Sequence, residues 1–584
     1  MKKTLSILII GILITGSLGA FATPEQEESE LITINESVDI SRPLIKDENG
    51  LSAVSLKEGN SYLLDPGCPM LPTISKVFIL PFGSKVDEVK VSYDNLQETK
   101  LSKNIKLATE PMQIGQANIL ETDENQVFYS SEIFPEEKFS YRTGTGIFND
   151  ERVTFLTVQC NPVTYSSVEN TLYSYENIDI SISYSNGEKT ASTMDEYDLL
   201  IISAAPMSST IQKLIDHKNS HGVQTMFKPV DEIYDEPQGR DEAEKIKYYI
   251  KDAIETYGIE YVLLLGNMYD LPIRHTSLDM WHDTLDLPTD IYYADIYDDV
   301  GDFCSWDADG DDIFGEYDRD LGNIDEVDLY VDVMVGRIPY HKITDLNIVL
   351  NKIINYENNA YGSDWFKKIM LMGGDTFPNH GNIEGEFVTG KVGDEMEDNG
   401  FELVKLWTSK DTFTTFNINR QAFNGAGFIS YSGHGYEHGF GTSPPDVEER
   451  ISYYNLNLLW MLNRDKLPII FFDACLTGTL DRKILNIFHI PGFAYNTVKK
   501  STGGAIAAIG ATRVAFTHVD FSGVHGGAGY LNLHFFSNYE EGITLGEMLT
   551  KSQNDYLNYV GLDCITLEEF IIIGDPSLKV GGYP

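Results

Sequence analysis

Cysteine, basic residues and long apolar runs are all scarce in this sequence. Only 5 of its 584 residues are cysteine, and their scattered positions give no disulfide framework. This excludes a small scaffold held together by disulfides, and an odd count leaves at least one thiol unpaired within the chain. The chain is also too long for a single hydrophobic core, so several domains are expected.

Basic residues are few compared with acidic ones. The sequence contains 43 Lys and Arg against 89 Asp and Glu, which gives a formal net charge of −46. A chain this acidic does not bind nucleic acid by neutralising phosphates, so nucleic-acid partners are excluded. The same excess of carboxylates favours solubility and provides oxygen ligands for cations such as Ca²⁺.

The one long apolar run lies at the amino terminus. Lys2 and Lys3 precede apolar residues 5–18, and the sequence AFA at residues 20–22 resembles a signal-peptidase site. A single-pass membrane anchor is the alternative interpretation. No later run reaches the ~18 apolar residues that a spanning helix needs. We therefore expect residues 1–22 to be a signal peptide and the mature protein to be secreted, without a transmembrane helix.

The pattern of predicted secondary structure changes near residue 190. Residues 23–190 contain alternating β-branched and aromatic segments such as VTFLTVQC, which are typical of a β-sandwich. A polar linker follows, and buried-strand patterns then alternate with helical ones, as in DLLIIS and YVLLLGN. We expect an α/β fold of mainly parallel sheets flanked by helices, in two subdomains at residues 196–361 and 362–584, preceded by the all-β domain.

Two strand-like segments end in residues that can act as a nucleophile or in acid/base catalysis. FISYSGHG places His434 between two glycines, and LPIIFFDAC places Cys475 after an apolar run. Ligands of open α/β sheets bind at the carboxyl ends of the strands, where both side chains would emerge. The pair suggests a cysteine nucleophile with a histidine base, and the amides of Gly435 and Cys475 are candidates for an oxyanion hole.

A zinc site is the competing interpretation of the same residues. His434 and His438 are four residues apart and, with Asp473 or Cys475, offer zinc ligands. That spacing suits a helix, which the neighbouring glycines disfavour. The sequence therefore favours the nucleophilic interpretation, with no catalytic metal.

These segments resemble the gingipain-type cysteine peptidases, a C25-like family of the caspase-like clan. The resemblance is carried by YSGHGYEHGFGTS and LPIIFFDACLTG, and extends to TDIYYAD, VMVGRIPY and IIIGDPSLKV. The amino-terminal β region, with YRTGTG and CNPVTY, resembles the propeptide of that family. The resemblance implies a caspase-like fold, Cys475 as nucleophile and His434 as general acid/base.

Other site residues follow only from this resemblance. It implies that Asp375 orients the histidine and that Glu386 lies at the floor of the primary specificity pocket, with Glu384 as a competitor for that role. Phe516 is implied as an aromatic wall of the same pocket. A carboxylate there would select Arg or Lys side chains by charge-assisted hydrogen bonds.

A second cluster lies in the segment WDADGDDIFGEYDRD. Acidic residues at every second position approach the pattern of a calcium loop, although Asp312 stands where glycine would make the sharp turn. An acidic surface loop is the alternative, but the family resemblance implies structural Ca²⁺. The expected ligands are Asp307, Asp309, Asp311, Glu316 and Asp318.

Together these observations predict an exported cysteine endopeptidase that is made as a zymogen. Its substrates would be peptides or proteins, cut after Arg or Lys, and Lys189 is a candidate site of self-cleavage. The alternative is a secreted, calcium-stabilised binding protein that keeps the fold without the activity, because a fold alone does not fix a function.

Overall fold

The computed structural model describes residues 31–114, 133–187, 196–280, 283–318, 321–378, 381–484, 488–489, 492–520 and 523–584. The predicted signal peptide and Lys189 lie outside the described residues. Contacts divide the chain into two compact units. The first contains the described residues up to Glu110, residues 133–187 and Tyr297–Asp302, and the second contains the rest.

The first unit is built from antiparallel strands, as the sequence predicts. The alternation is clear in the strand Asn177–Ser185, where Ile178, Ile180 and Ile182 are buried and Asp179 is exposed. These isoleucines belong to one apolar core with side chains from most of the other strands. Such a pattern fixes the face of each strand that turns inward, because successive side chains alternate across a sheet.

The strands of the first unit form small sheets with the orders given by their pairing. Their bounds are Leu31–Asp39, Leu44–Glu48, Leu51–Ser55, Ser61–Tyr62, Pro72–Pro81, Lys85–Asp94, Gln97–Lys100, Phe139–Phe148, Glu151–Cys160, Val163–Ser166, Thr171–Ser174 and Asn177–Ser185.

The second unit is organised around one ten-stranded sheet. In chain order its strands are β1 (Leu199–Ser203), β2 (Thr225–Pro229), β3 (Tyr261–Leu265), β4 (Met334–Ile338), β5 (Lys368–Gly373), β6 (Glu402–Trp407), β7 (Phe428–Ser432), β8 (Ile469–Asp473), β9 (Ala507–Ala511) and β10 (Phe570–Ile573). Across the sheet they run in the order β2-β1-β3-β4-β10-β9-β8-β7-β5-β6. Every residue of β1, β3, β7 and β8 is buried, as expected for parallel strands covered on both faces.

Helices connect these strands. Their bounds are Ser209–Ser220, Val230–Tyr234, Glu242–Tyr257, Ile343–Asn359, Glu384–Asp398, Thr415–Asn424, Asn455–Leu458, Phe493–Val498, Gly527–Ser537, Leu545–Tyr559 and Cys564–Glu569, with 3₁₀ turns at Ile291–Tyr293 and Thr408–Lys410. Among the described residues, no helix has both the length and the hydropathy that a membrane span requires.

Shorter strands lie outside the large sheet. They are Met112–Gln113, Arg274–Met280, Asp283–Thr289, Tyr317–Asp318, Gly322–Asn323, His434–Tyr436, Gly439–Thr442, Ile451–Tyr454, Lys483–Ile484, Phe488–His489, Phe516–Val519 and Val524–Gly526.

The structure differs from the predicted organisation in three respects. The two α/β blocks share a single sheet, because β10 pairs in parallel with β4 and antiparallel with β9. Pro111–Ile114, predicted as part of the amino-terminal domain, belongs to the α/β unit, and Tyr297–Asp302, predicted within residues 196–361, belongs to the first unit. Strand patterns identify strands but not their contacts with distant segments, so these features were not accessible from the sequence.

Candidate active site

The parallel pairing of β7 with β8 brings the two predicted reactive residues together. Ser432 is opposite Asp473 in the register, and the amide of Gly433 donates to the Asp473 carbonyl at 3.2 Å. His434 and Cys475 each follow two residues after this last pair. They therefore emerge from neighbouring strands at the same edge of the sheet, as predicted.

Gly435 lies directly against the backbone of Cys475. A Cβ atom on Gly435 would be 2.0 Å from the Cys475 carbonyl oxygen and 2.8 Å from its nitrogen. Only glycine fits at this distance. The close approach places the two residues predicted to supply oxyanion-hole amides side by side; the role itself stays a prediction.

The imidazole of His434 is buried and held by a backbone carbonyl. Its Nε2 lies 2.8 Å from the Thr376 carbonyl oxygen. A carbonyl only accepts, so Nε2 carries the proton and Nδ1 the lone pair. Nδ1 has no hydrogen-bond partner among the described residues. Burial, together with the nearby cation of Arg450, lowers the pKa of His434 to about 4, so the ring is neutral at physiological pH.

The thiol of Cys475 is also buried. The amide of Ala515 donates to Sγ at 3.2 Å, and the thiol itself donates to the carbonyl of Ile114. Burial raises the pKa of the Cys475 thiol well above its usual range; the Ala515 amide opposes the shift, and the buried acids Glu569 and Asp473 add to it. The cysteine is therefore a neutral thiol in this arrangement.

A short segment from the amino-terminal part of the chain covers the thiol. Residues 111–114, which we call the strap, pair antiparallel with the strand Phe516–Val519. The amide of Ile114 donates to the Ala515 carbonyl at 2.8 Å, which brings the Ile114 carbonyl onto Cys475. The strap thus covers the thiol of Cys475. No motif in the sequence indicated it.

Asp375, predicted to orient the histidine, lies one residue before the carbonyl that does so. Its backbone pairs with Ser443 in both directions, at 2.9 and 3.3 Å, and its carboxylate accepts from the amide of Asp446 at 2.8 Å. These bonds fix the turn that presents the Thr376 carbonyl to His434. The sequence analysis did not identify Thr376, because it acts through its backbone carbonyl and any residue type could supply that group.

The two candidate pocket acids begin the helix Glu384–Asp398 and are both buried. The carboxylate of Glu386 accepts from the Thr408 hydroxyl at 3.1 Å and from the amide and hydroxyl of Ser409 at 2.8 and 2.5 Å. Glu384 accepts from the amide of Phe377 at 3.3 Å. Burial, reinforced by Asp375, raises the pKa of Glu384 to about 7.

Aromatic residues lie near both His434 and Cys475. The ring of Phe377 meets the His434 imidazole edge-on, with centroids 6.4 Å apart. Phe516 directly follows Ala515 and pairs with Gln113 of the strap. Since the Ala515 amide donates to Cys475, Phe516 lies close to this cysteine, and its place in the pocket wall stays a prediction.

The residues of the zinc interpretation take other partners. His438 stacks on Tyr454 with centroids 5.3 Å apart, and the side chain of Asp473 is buried at the end of β8. Burial raises the pKa of Asp473 to about 7. Within the described parts of the chain, the one group of three His, Cys, Asp or Glu donors close enough to share a metal lies elsewhere.

That group is Asp307, Asp309 and Asp311, whose carboxylate oxygens lie within 4.8 Å of one another. Asp312, at the position where a calcium loop has glycine, adopts φ +67°, so the sharp turn forms despite its side chain. Asp307 accepts from the amides of Gly310 and Asp311 at 2.9 and 3.0 Å and also pairs with Arg240. The crowded oxygens suit a hard cation.

Further acids crowd the same loop. Burial and the neighbouring carboxylates of Asp311 and Asp325 raise the pKa of Glu316. Asp325 is not among the predicted ligands, yet it closes the loop by accepting from the amides of Ala308 and Glu316, each at 2.7 Å.

Comparison with known proteins gives matches along most of the chain. The profile of peptidase family C25 matches residues 192–581, and the profile of the C25 propeptide matches residues 38–202. Gingipain R2 of Porphyromonas gingivalis is 22% identical over 564 residues, which cover 86% of this chain and 67% of the relative. Gingipain R1 of the same organism is 24% identical over 319 residues, 52% of this chain and 26% of the relative.

Solved structures are similar to a more limited degree. The crystal structure of the Arg-specific cysteine proteinase gingipain R aligns with a TM-score of 0.48 and 21% identity, over 67% of this chain and 80% of that one. The family profile, in contrast, spans both α/β blocks and both reactive residues, and it confirms the resemblance stated from the motifs. The chain belongs to peptidase family C25: it is a cysteine-type peptidase preceded by a C25 propeptide.

Proposed function

We propose that this protein is an endopeptidase in which Cys475 is the nucleophile and His434 the general acid/base. The observation that carries the proposal is the joint geometry of the dyad. Parallel strands deliver both residues to one edge of the sheet, and the Thr376 carbonyl leaves the lone pair of His434 on Nδ1. A base with a defined tautomer is what activation of a thiol requires.

The reaction would proceed in two steps. The Cys475 thiol gives its proton to Nδ1 of His434 and attacks the scissile carbonyl, while the amides of Gly435 and Cys475 stabilise the oxyanion. His434 then protonates the leaving amine, and an acyl thioester remains. In the second step His434 takes a proton from water, the resulting hydroxide attacks the thioester, and the thiol is regenerated.

We further propose that the strap keeps the uncut chain latent. Ile114 holds the thiol of Cys475 by its carbonyl and is fixed in turn by Ala515. A substrate carbonyl needs the same position in front of Sγ, so strap and substrate would exclude each other. Removal of the propeptide, with Lys189 as a candidate cleavage point, would free the site. Export through residues 1–22 completes this proposal.

Basic specificity is the third part of the proposal. Glu386 and Glu384 place two buried carboxylates on the first turn of one helix, next to the segment that holds His434. A cationic ligand stabilises a buried carboxylate strongly, because the ion pair compensates for the interactions with water that the carboxylate lost on burial. We propose that Glu386 receives an Arg or Lys side chain, with Phe516 along its path.

Structural Ca²⁺ is the fourth part. Asp307, Asp309 and Asp311 would hold the ion together with Glu316 and Asp318, which lie in the same loop. The raised pKa of Glu316 supports this, because a bound cation would relieve the repulsion among these carboxylates. Its contribution would be to stability, with no part in the chemical step.

The catalytic assignment predicts the effect of removing either member of the dyad. Cys475→Ala and His434→Ala should each lower kcat/KM of the propeptide-free enzyme by at least about 1000-fold, because neither residue acts without the other. The measurement is hydrolysis of Arg-, Lys-, Asp- and Asn-linked peptides. Cys564→Ala, which removes another buried thiol, is the control and should keep full activity. A wild-type enzyme that cleaves none of the substrates would favour the inactive binding protein.

The specificity assignment predicts a selective loss. Glu386→Gln removes the charge but keeps the shape, so kcat/KM on Arg- and Lys-linked peptides should fall roughly 10- to 100-fold. Glu384→Gln should have a smaller effect, and Glu397→Gln, at the exposed far end of the same helix, should have none. A wild-type preference for Asp- or Asn-linked peptides would contradict the assignment.

The calcium assignment predicts metal-dependent stability. Adding Ca²⁺ to chelator-treated wild type should raise its thermal midpoint, by an amount equivalent to about 2.7 kcal/mol when the ion is at 100 times its Kd. Asp309→Asn with Asp311→Asn should abolish this response. The control, Asp394→Asn with Asp398→Asn, removes two exposed acids from a helix and should keep it. A wild-type midpoint that ignores Ca²⁺ and chelator would overturn the assignment.

A further inference from the structure

Exposed large apolar side chains concentrate in one part of the catalytic unit. Leu456, Phe416 and Trp460 expose 72%, 72% and 71% of their surface, which is unusual for residues of this size. Phe423, Leu459 and Leu462 are exposed as well. We call these six residues the apolar patch. Contiguous exposed apolar surface of this kind marks interaction sites on folded proteins.

Two elements contribute to the patch, and hydrogen bonds join them. On the helix Thr415–Asn424, the side chain of Asn419 donates to the Asn457 carbonyl at 3.3 Å and accepts from the Tyr453 hydroxyl at 2.7 Å. Phe416 and Phe423 lie seven residues apart on that helix and therefore share one face. The turn that follows Tyr453 carries the other four residues, so the patch rests on a fixed scaffold.

Basic residues border the patch, although the chain carries a net charge of −46. Arg420 lies between the two phenylalanines on the exposed helix face, and Arg464 is exposed just after the turn. Lys466 donates to the Asn424 carbonyl at 3.1 Å, and Lys500 to the Leu459 carbonyl at 3.4 Å. We call these four residues the basic rim. One exposed acid, Asp465, lies among them.

The patch is connected to the strand that carries the general base. The strand Ile451–Tyr454, from which the turn continues, pairs with Gly439–Thr442, and that strand pairs with His434–Tyr436. Whatever binds the patch would therefore be held close to the catalytic dyad.

We propose that the apolar patch and its basic rim dock the protein onto a lipid surface that contains anionic headgroups. A solvent-exposed tryptophan with leucines and phenylalanines on one face, bordered by Arg and Lys, is the composition of interfacial membrane-binding elements. Tryptophan favours the depth of the headgroups, and each cation near an anionic surface adds to binding. A second copy of the chain fits less well, since a two-fold contact would bring two basic rims together.

The test is sedimentation of the full chain with vesicles of phosphatidylcholine alone or mixed with phosphatidylglycerol, at low salt. The wild type should sediment with the mixed vesicles only. Leu459→Ser with Trp460→Ser should abolish binding, and Arg420→Gln with Arg464→Gln should weaken it roughly 25-fold. The matched controls replace exposed residues elsewhere: Val168→Ser with Leu321→Ser, and Lys46→Gln with Lys213→Gln.

The outcomes separate the alternatives. Equal binding by the patch variants and their controls, or a wild type that sediments with neither vesicle, would overturn the proposal. Equal binding of the wild type to both vesicle types would overturn the anionic requirement. Dimerisation of the wild type that Trp460→Ser abolishes, without vesicle binding, would assign the patch to a protein interface instead. Because vesicle binding does not depend on hydrolysis, failure here leaves the proposed peptidase function untouched.

Discussion

The close contact between Gly435 and the backbone of Cys475 is the constraint on which the site depends. With a Cβ position only 2.0 Å from the Cys475 carbonyl oxygen, no other residue fits without moving the two strand ends apart. The contact arises because β7 and β8 are parallel neighbours that end at the same level, so the residues after them leave the sheet side by side. It holds the strand that begins at His434 against Cys475, the two residues that we propose act on one substrate carbonyl.

The position of His434 and Cys475 at one edge of the sheet could be predicted from the sequence because both residues follow continuous apolar runs. β7 and β8 are buried along their whole length, which is why FISYS and IIFFD stand out as strands and why His434 and Cys475 stand out after them. The left-handed turn at Asp312 is a different case. An aspartate disfavours the left-handed conformation that glycine adopts easily. Asp312 nevertheless adopts it, in a loop where the carboxylate of Asp307 accepts hydrogen bonds from backbone amides.

The features that could not be predicted from the sequence depend on backbone groups and on pairing between segments far apart in the chain. His434 is held by the backbone carbonyl of Thr376, and Cys475 contacts the backbone carbonyl of Ile114. Every residue type has such a carbonyl, so the sequence does not mark these two. The strap pairs through two residues, too few for a recognisable strand pattern. Likewise, the position of β10 between β4 and β9 depends on pairing between residues that are 59 or more positions apart.

Burial determines the charge state of Cys475 and His434. It raises the pKa of the Cys475 thiol and lowers that of His434 to about 4, so both groups are neutral and no thiolate is available. We attribute much of this burial to the strap. The most direct test of this attribution is the rate at which iodoacetamide alkylates Cys475 in the full chain, followed by mass spectrometry. Ile114→Pro, which removes the amide that anchors the strap to Ala515, should raise this rate strongly, whereas Ile114→Val should leave it at the slow wild-type value. Rapid alkylation of the wild type, equal to that of Ile114→Pro, would contradict the account.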